Sequence, residues 1–160
     1  MTYQEIVSIL GSEAESLLEY KTNKIQSSLI DLPRPGRVEE TFSLSDRSQT
    51  VLESLSQLYN HGRLAGTGYL SIFPVDQGLE HTAGYSFAEN PLFFDPENIV
   101  RFAIEGGSSA VVSSASALGM ISEKYKLMIP FIVKLTHSEH LTLPEKSNQL
   151  MYSRVERSWN

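Results

Sequence analysis

Apolar residues recur at two different spacings along this chain, and the change falls near Gly62 to Gly68. Before it the spacing is helical. Ile6, Ile9 and Leu10 share one helical face, and Gly11 stops that short helix. Ser12-Glu13-Ala14-Glu15 has the Ser-x-x-Glu form of a capping box, with Leu17, Leu18, Tyr20 and Lys24 continuing a second helix. Asp31-Leu32-Pro33-Arg34-Pro35-Gly36 breaks it, because proline lacks a backbone donor and glycine frees the backbone. A third helix is predicted from Ser45 or Asp46 to His61-Gly62, with Val51, Leu52, Leu55, Leu58 and Tyr59 on one face. Residues 1–61 therefore read as an N-terminal helical extension.

From Tyr69 onward short apolar runs alternate with helical signals. Tyr69 to Val75, Ala110 to Ser113 and Met128 to Leu135 read as three strands. Asp95-Pro96 is a strong helix start, a capping carboxylate followed by proline at the first helical position. Ile99, Val100, Phe102, Ala103 and Ile104 give that helix its apolar face, and Gly106-Gly107 ends it. Leu118 to Tyr125 is a shorter helical candidate. Ser153-Arg154-Val155-Glu156 has capping-box form, with Met151, Val155 and Trp159 repeating every fourth residue. Strand and helix in alternation predict βα units with a parallel sheet, its strands covered on both faces. Residues 62–160 supply about three of the eight strands of a (β/α)8 barrel. The expected architecture is α/β: the first part of such a barrel after a helical extension, in a chain that is a truncated piece of a longer protein. A small open sheet is the rival arrangement.

Composition narrows the function. The 160 residues hold no cysteine, which excludes disulfides, cysteine nucleophiles and thiolate metal sites. Thirteen Lys and Arg against nineteen Asp and Glu give a net charge of -6, so nucleic acid is not an expected partner. No apolar run approaches a membrane span. The expectation is a cytoplasmic protein with no membrane partner.

In α/β folds chemistry gathers at the carboxyl ends of strands. The first predicted strand runs into Asp76-Gln77-Gly78-Leu79-Glu80-His81, and the third ends at Lys134. Asp76, after an apolar strand and before a glycine, reads either as a proton-shuttling carboxylate or as a turn-forming Asp bonded to its own backbone. Lys134 is flanked by apolar residues, an uncommon setting for an ammonium. It is placed to form a Schiff base, hold a phosphate or pair with a carboxylate such as Asp76, unless its stem simply carries the charge to solvent. His81, His137, His140, Glu80 and Glu139 raise the question of a metal, but His137-Ser138-Glu139-His140 reads as a polar loop after the third strand and matches no strong ligand motif, and no metal is expected. Gly66-Thr67-Gly68 is too short for a phosphate loop and precedes a strand.

The segment Tyr69-Leu70-Ser71-Ile72-Phe73-Pro74-Val75-Asp76-Gln77-Gly78-Leu79-Glu80-His81 closely resembles the first-strand motif of the archaeal-type class I fructose-bisphosphate aldolases, relatives of the DeoC and LacD aldolases. Asn90-Pro91, Asp95 to Val100, Ile104 to Gly107, Ile129 to Leu135 and Val155 to Asn160 continue the likeness in order. It spans residues 45–160, and the long helical N-terminus resembles the bacterial branch. Archaeal members commonly have His where this chain has Gln77.

The resemblance implies a Schiff-base aldolase of glycolysis and gluconeogenesis. It would cleave fructose 1,6-bisphosphate to dihydroxyacetone phosphate and glyceraldehyde 3-phosphate, need no cofactor, and work as a homo-oligomer on a small sugar-phosphate substrate. Asp76 is then catalytic, and Lys134, Gln77 and His81 bind substrate. Lys134 matches an active-site lysine other than the nucleophile. The Schiff-base lysine belongs to the sixth strand and is expected beyond Asn160, as is the family's catalytic tyrosine. This piece alone is expected to be inactive and poorly folded, with an unpaired sheet edge. The alternatives are a related aldolase, thiolase or transferase acting on another phosphorylated ketose or dione, a non-catalytic chain that associates with full-length subunits, and a metal-dependent aldolase.

Overall fold

In a computed structural model of the chain, residues 1–22, 24–141, 145 and 148–159 are described. The backbone forms two compact units, Met1–Leu32 and Pro33–Asn160.

The first unit holds α1 (Tyr3–Leu10) and α2 (Ala14–Leu18). Thr2 and Glu5 close a capping box at the start of α1, and Gly11 ends it with φ of 57°. The capping box expected at Ser12 does not form. A 3-10 turn occupies Gly11–Glu13, and α2 begins without a side-chain cap. Helix α2 also stops at Leu18, short of Lys24. Ala14 is its one buried residue, so little packing sustains a longer helix.

The second unit opens with α3 (Arg37–Phe42) and α4 (Gln49–Tyr59). Helix α3 lies between the Asp31–Gly36 break and the third predicted helix, where no helix was expected. The cap of α4 is Ser48, whose side chain accepts from the Val51 N–H, so the helix starts later than Ser45 or Asp46. Glycine is required where the chain turns from α4 toward the sheet. Gly62 has φ of 77°, and a Cβ there would lie 2.5 Å from the carbonyl oxygens of Gly107 and Ser108. The Arg63 N–H donates to the Gly107 carbonyl at 2.7 Å, fastening this turn to the loop ahead of the central strand.

Three parallel strands follow: β1 (Ile72–Pro74), β2 (Ala110–Ser114) and β3 (Phe131–Lys134), in the order β1-β2-β3. Phe73 faces Val111 across one pair, and Ser114 faces Lys134 across the other. Between β1 and β2 the chain runs through the short α5 (Ala83–Ser86) and then the crossover helix α6 (Pro96–Glu105). Asp95 caps it as expected, accepting from the Glu97 N–H at 2.9 Å, with Pro96 at the first position. Its buried face, Ile99, Val100 and Ala103, packs in one cluster with Val111, Leu118 and Ile129. Phe87 and Phe93 stack at 5.6 Å beside it. Burial of this apolar surface is the main force that holds helix to sheet.

Only β2 is substantially buried; β1 and β3 are part-exposed, with Ile72 43% exposed. The two outer strands each pair on one side, so they lack the two-sided cover that their apolar runs suggested. The predicted helix Leu118–Tyr125 is divided into α7 (Ala115–Gly119) and α8 (Ser122–Tyr125). The segment after β3 is not a plain loop. Thr136–Ser138 forms β4, antiparallel to β5 (Gln149–Met151). Met151 therefore belongs to a strand, and α9 (Val155–Trp159) starts after it, so the four-residue repeat from Met151 does not lie on one helix. The side chain of Trp159 and Asn160 lie outside the described residues. No described helix is long and apolar enough to cross a membrane.

Candidate active site

The carboxyl ends of β1 and β3 bring Asp76 and Lys134 together across the end of β2. Two hydrogen bonds to β2 hold the base of the Asp76 loop. The Val75 N–H donates to the Val112 carbonyl at 2.9 Å, and the buried Ser113 hydroxyl donates to the Val75 carbonyl at 2.6 Å. Ser114 stands opposite Lys134 in the register. Lys134 lies one strand further on, and its four-carbon stem spans the end of β2 so that its ammonium reaches the Asp76 carboxylate in a short hydrogen-bonded ion pair. The same ammonium donates to Glu80 at 2.9 Å, and Glu80 also accepts from the Ser138 N–H at 2.9 Å. The side chains are 32%, 19% and 18% exposed for Lys134, Asp76 and Glu80, so water only partly screens the cluster.

This arrangement shifts proton affinities by identifiable causes. Burial works against the Lys134 ammonium, but its hydrogen bonds to Asp76 and Glu80 outweigh that and hold it above the ordinary lysine range. The Lys134 hydrogen bond, then the Ser138 N–H, holds Glu80 below the ordinary carboxylate range. At neutral pH Lys134 is therefore a cation and Glu80 an anion.

His137, from β4, completes the cluster. Its ring is fully buried, and its Nδ1 lies 3.9 Å from both Asp76 Oδ2 and Glu80 Oε1. Tyr152 closes one side of the ring edge-on, at 5.4 Å between centroids. The Tyr152 N–H donates to the Leu135 carbonyl at 2.9 Å, which ties the end of β5 to the end of β3. A cavity of about 750 Å³ opens beside these groups, lined by Ser114, Ser116, Lys126, Lys134, His137 and Tyr152 among others. That size and the mixture of hydroxyl, ammonium and apolar walls suit a small polar molecule.

The other expected site residues lie apart from this cluster or at its margin. Gln77 is half-buried, and its Oε1 has no hydrogen-bond partner among the described residues. His81 is exposed, and its carbonyl accepts from the Gly78 N–H at 2.7 Å in a turn. His140 is exposed and Glu139 half-buried. Among the described residues, Asp76, Glu80 and His137 form a set of metal-ligand types whose atoms lie within 4.8 Å of one another. The Lys134 ammonium already bonds both carboxylates, so a divalent ion would have to displace a resident cation. Sequence reasoning weighed Glu80 and His137 only as metal ligands and gave Tyr152 no role. The missed signal was position: His137 comes three residues after Lys134 and Glu80 four after Asp76.

Charged groups converge here at the carboxyl ends of parallel strands, where α/β folds gather their chemistry. Residues 70–160 match the sequence profile of the DeoC/LacD family aldolases, and the chain belongs to that family. It is 50% identical over 155 residues to proteins named "Probable fructose-bisphosphate aldolase class 1" from Chlamydia pneumoniae, Chlamydia muridarum and Chlamydia trachomatis. Each alignment covers 97% of this chain and 44% of the relative, so the chain spans less than half the length of the curated relatives it matches. No solved structure matches it significantly.

Proposed function

We propose that the protein carrying this chain is a class I aldolase that reversibly cleaves fructose 1,6-bisphosphate into dihydroxyacetone phosphate and glyceraldehyde 3-phosphate, and that the chain forms the first part of its (β/α)8 barrel. The observation that carries the reading is the Asp76–Lys134–Glu80 cluster at the carboxyl ends of β1 and β3, in a chain of this family.

The chemistry starts when a lysine amine, outside these 160 residues, adds to the ketose carbonyl. Loss of water then gives an iminium. Removal of the proton from the C4 hydroxyl breaks the C3–C4 bond. The aldehyde leaves, and the bonding electrons pass to the iminium, giving an enamine. Protonation of the enamine and hydrolysis return the amine and the second triose phosphate. The carbinolamine, iminium and enamine steps each move a proton near the carbonyl carbon, and the cleavage moves one from the C4 hydroxyl, so a carboxylate held at a strand end suits the chemistry. Asp76 fills that role. Lys134 holds the Asp76 and Glu80 carboxyl groups in place and offers the cavity a positive charge. Gln77 and His81 lie on the same loop and would contact substrate from its rim.

The test is aldol cleavage by the full-length protein, followed in a coupled triose-phosphate assay with and without chelator. Cleavage of fructose 1,6-bisphosphate that survives chelation supports the reading. Turnover of some other phosphorylated ketose alone would replace the substrate, and loss on chelation restored by zinc would replace the mechanism.

A further inference from the structure

Asp76, Glu80 and Lys134 satisfy one another, but His137 does not join them. Neither ring nitrogen of His137 has a hydrogen-bond partner among the described residues, although the side chain is fully buried. A neutral imidazole carries one donor and one acceptor, and burying both unpaired is unfavourable. The 3.9 Å from Nδ1 to each carboxylate oxygen is too long for a direct bond. It leaves space for one further atom bonded to both at a compressed angle. The ligand atoms of Asp76, Glu80 and His137 lie within 4.8 Å of one another. An atom seated among the three falls roughly 2.5–3 Å from each, within hydrogen-bond range, and shares the two carboxylates with the Lys134 ammonium.

Charge decides what kind of atom that is. The Lys134 ammonium already neutralises part of the cluster, and a second cation beside it would be repelled. An alcohol oxygen fits better. It accepts from His137 through a lone pair and donates its own proton to a carboxylate. His137 and Lys134 both line the cavity, so a ligand lying there meets two members of the cluster.

We infer that Asp76, Glu80 and His137 form a subsite for one secondary hydroxyl of a phosphorylated polyol, with His137 Nδ1 donating to the hydroxyl oxygen and the hydroxyl donating to a carboxylate. The inference rests on the aldolase reading for its ligand class. It makes His137 a binding residue that discriminates hydroxylated from deoxygenated carbon chains.

The experiment measures equilibrium binding of two probes to the full-length protein by calorimetry. Hexitol 1,6-bisphosphate keeps the hydroxyls and lacks the reactive carbonyl, so no cleavage intervenes. Hexane-1,6-diol bisphosphate keeps the phosphates and lacks the secondary hydroxyls. His137→Phe should weaken binding of the hexitol about tenfold, the scale of one lost hydrogen bond, and leave binding of the diol unchanged. His137→Asn, which returns an amide donor near the Nδ1 position, should recover most of the preference. It also serves where the Phe variant fails a melting check, since His137→Gln, with its donor displaced toward the Nε2 position, should then show the loss. Equal weakening toward both probes, or none toward either in a folded variant, would overturn the inference while leaving the aldolase reading intact. Failure of the wild-type protein to bind the hexitol at all would overturn both.

Discussion

Replacing Lys134 by methionine keeps most of the stem and removes the charge that holds two carboxylates together. The remaining Asp76 and Glu80 oxygens lie within 4.8 Å of each other. At an effective dielectric of about 20, two unit charges at that separation repel by about 3 kcal/mol. The carboxylates are about a fifth exposed, so water relieves part of this. The expected loss of stability at pH 7 is about 2–3 kcal/mol, below the roughly 3–5 kcal/mol seen when a fully buried pair is broken. The pH dependence follows from the wild-type shifts. Lys134 is held above its ordinary range, so its stabilising effect is complete at neutral pH and fades only as the solution passes that raised value. Glu80 is held below its range, so its contribution persists above the ordinary carboxylate value and disappears as pH falls through the depressed one. Without the ammonium the main cause that depresses Glu80 is gone, so Glu80 takes up its proton at a higher pH than in wild type and relieves the repulsion. The gap between wild type and Lys134→Met should therefore narrow from pH 7 to pH 5, and Lys134→Arg should lose much less at both. Urea unfolding of the full-length protein at the two pH values reads this directly. No loss, or the same loss at pH 7 and pH 5, would show that the cluster is not held by the Lys134 charge.

Three further substitutions probe the site and its support. Asp76→Asn should keep the protein folded and lower turnover by roughly a hundredfold or more, the scale of a lost acid–base group; unchanged turnover would reduce Asp76 to a turn residue. Ser113→Ala removes the buried hydroxyl that bonds the Val75 carbonyl at 2.6 Å. It should cost about 1–2 kcal/mol in denaturant unfolding and lower turnover by loosening the Asp76 loop, and wild-type values for both would contradict that support. Gly62→Ala places a Cβ 2.5 Å from two backbone oxygens at φ of 77°, so it should destabilise by about 2 kcal/mol or more; an unchanged melting midpoint would mean that this junction yields freely.

Much of this arrangement was legible because it rests on local rules. Asp95-Pro96 caps α6 through a side chain two residues from its donor, and the three apolar runs contain the three parallel strands. Asp76 and Lys134 stood out because a charge at the end of an apolar run is unusual, and pairing between them was one of the roles open to Lys134. The misreadings have non-local causes. Ser12 matched a capping box, yet the glycine before it set a 3-10 turn, and α2 buries too little to extend. Met151 fits a helical repeat, but backbone pairing with Thr136 draws it into β5. His137 looked like part of a polar loop because its neighbours are polar. Only that same pairing shows that it is buried against Asp76 and Glu80.

In the proposed mechanism a lysine amine carries the substrate as an iminium beside the Asp76–Lys134–Glu80 cluster. Borohydride reduction captures that species, because it converts a transient iminium into a stable secondary amine. The full-length protein is treated with borohydride in the presence and absence of fructose 1,6-bisphosphate, and its activity and peptide masses are measured. Substrate-dependent inactivation is expected, with a reduced triose-phosphate adduct on a lysine outside the 160 residues and Lys134 unmodified. Full activity after reduction with substrate would contradict the Schiff-base mechanism, and an adduct on Lys134 would contradict its assignment as the group that holds the two carboxylates.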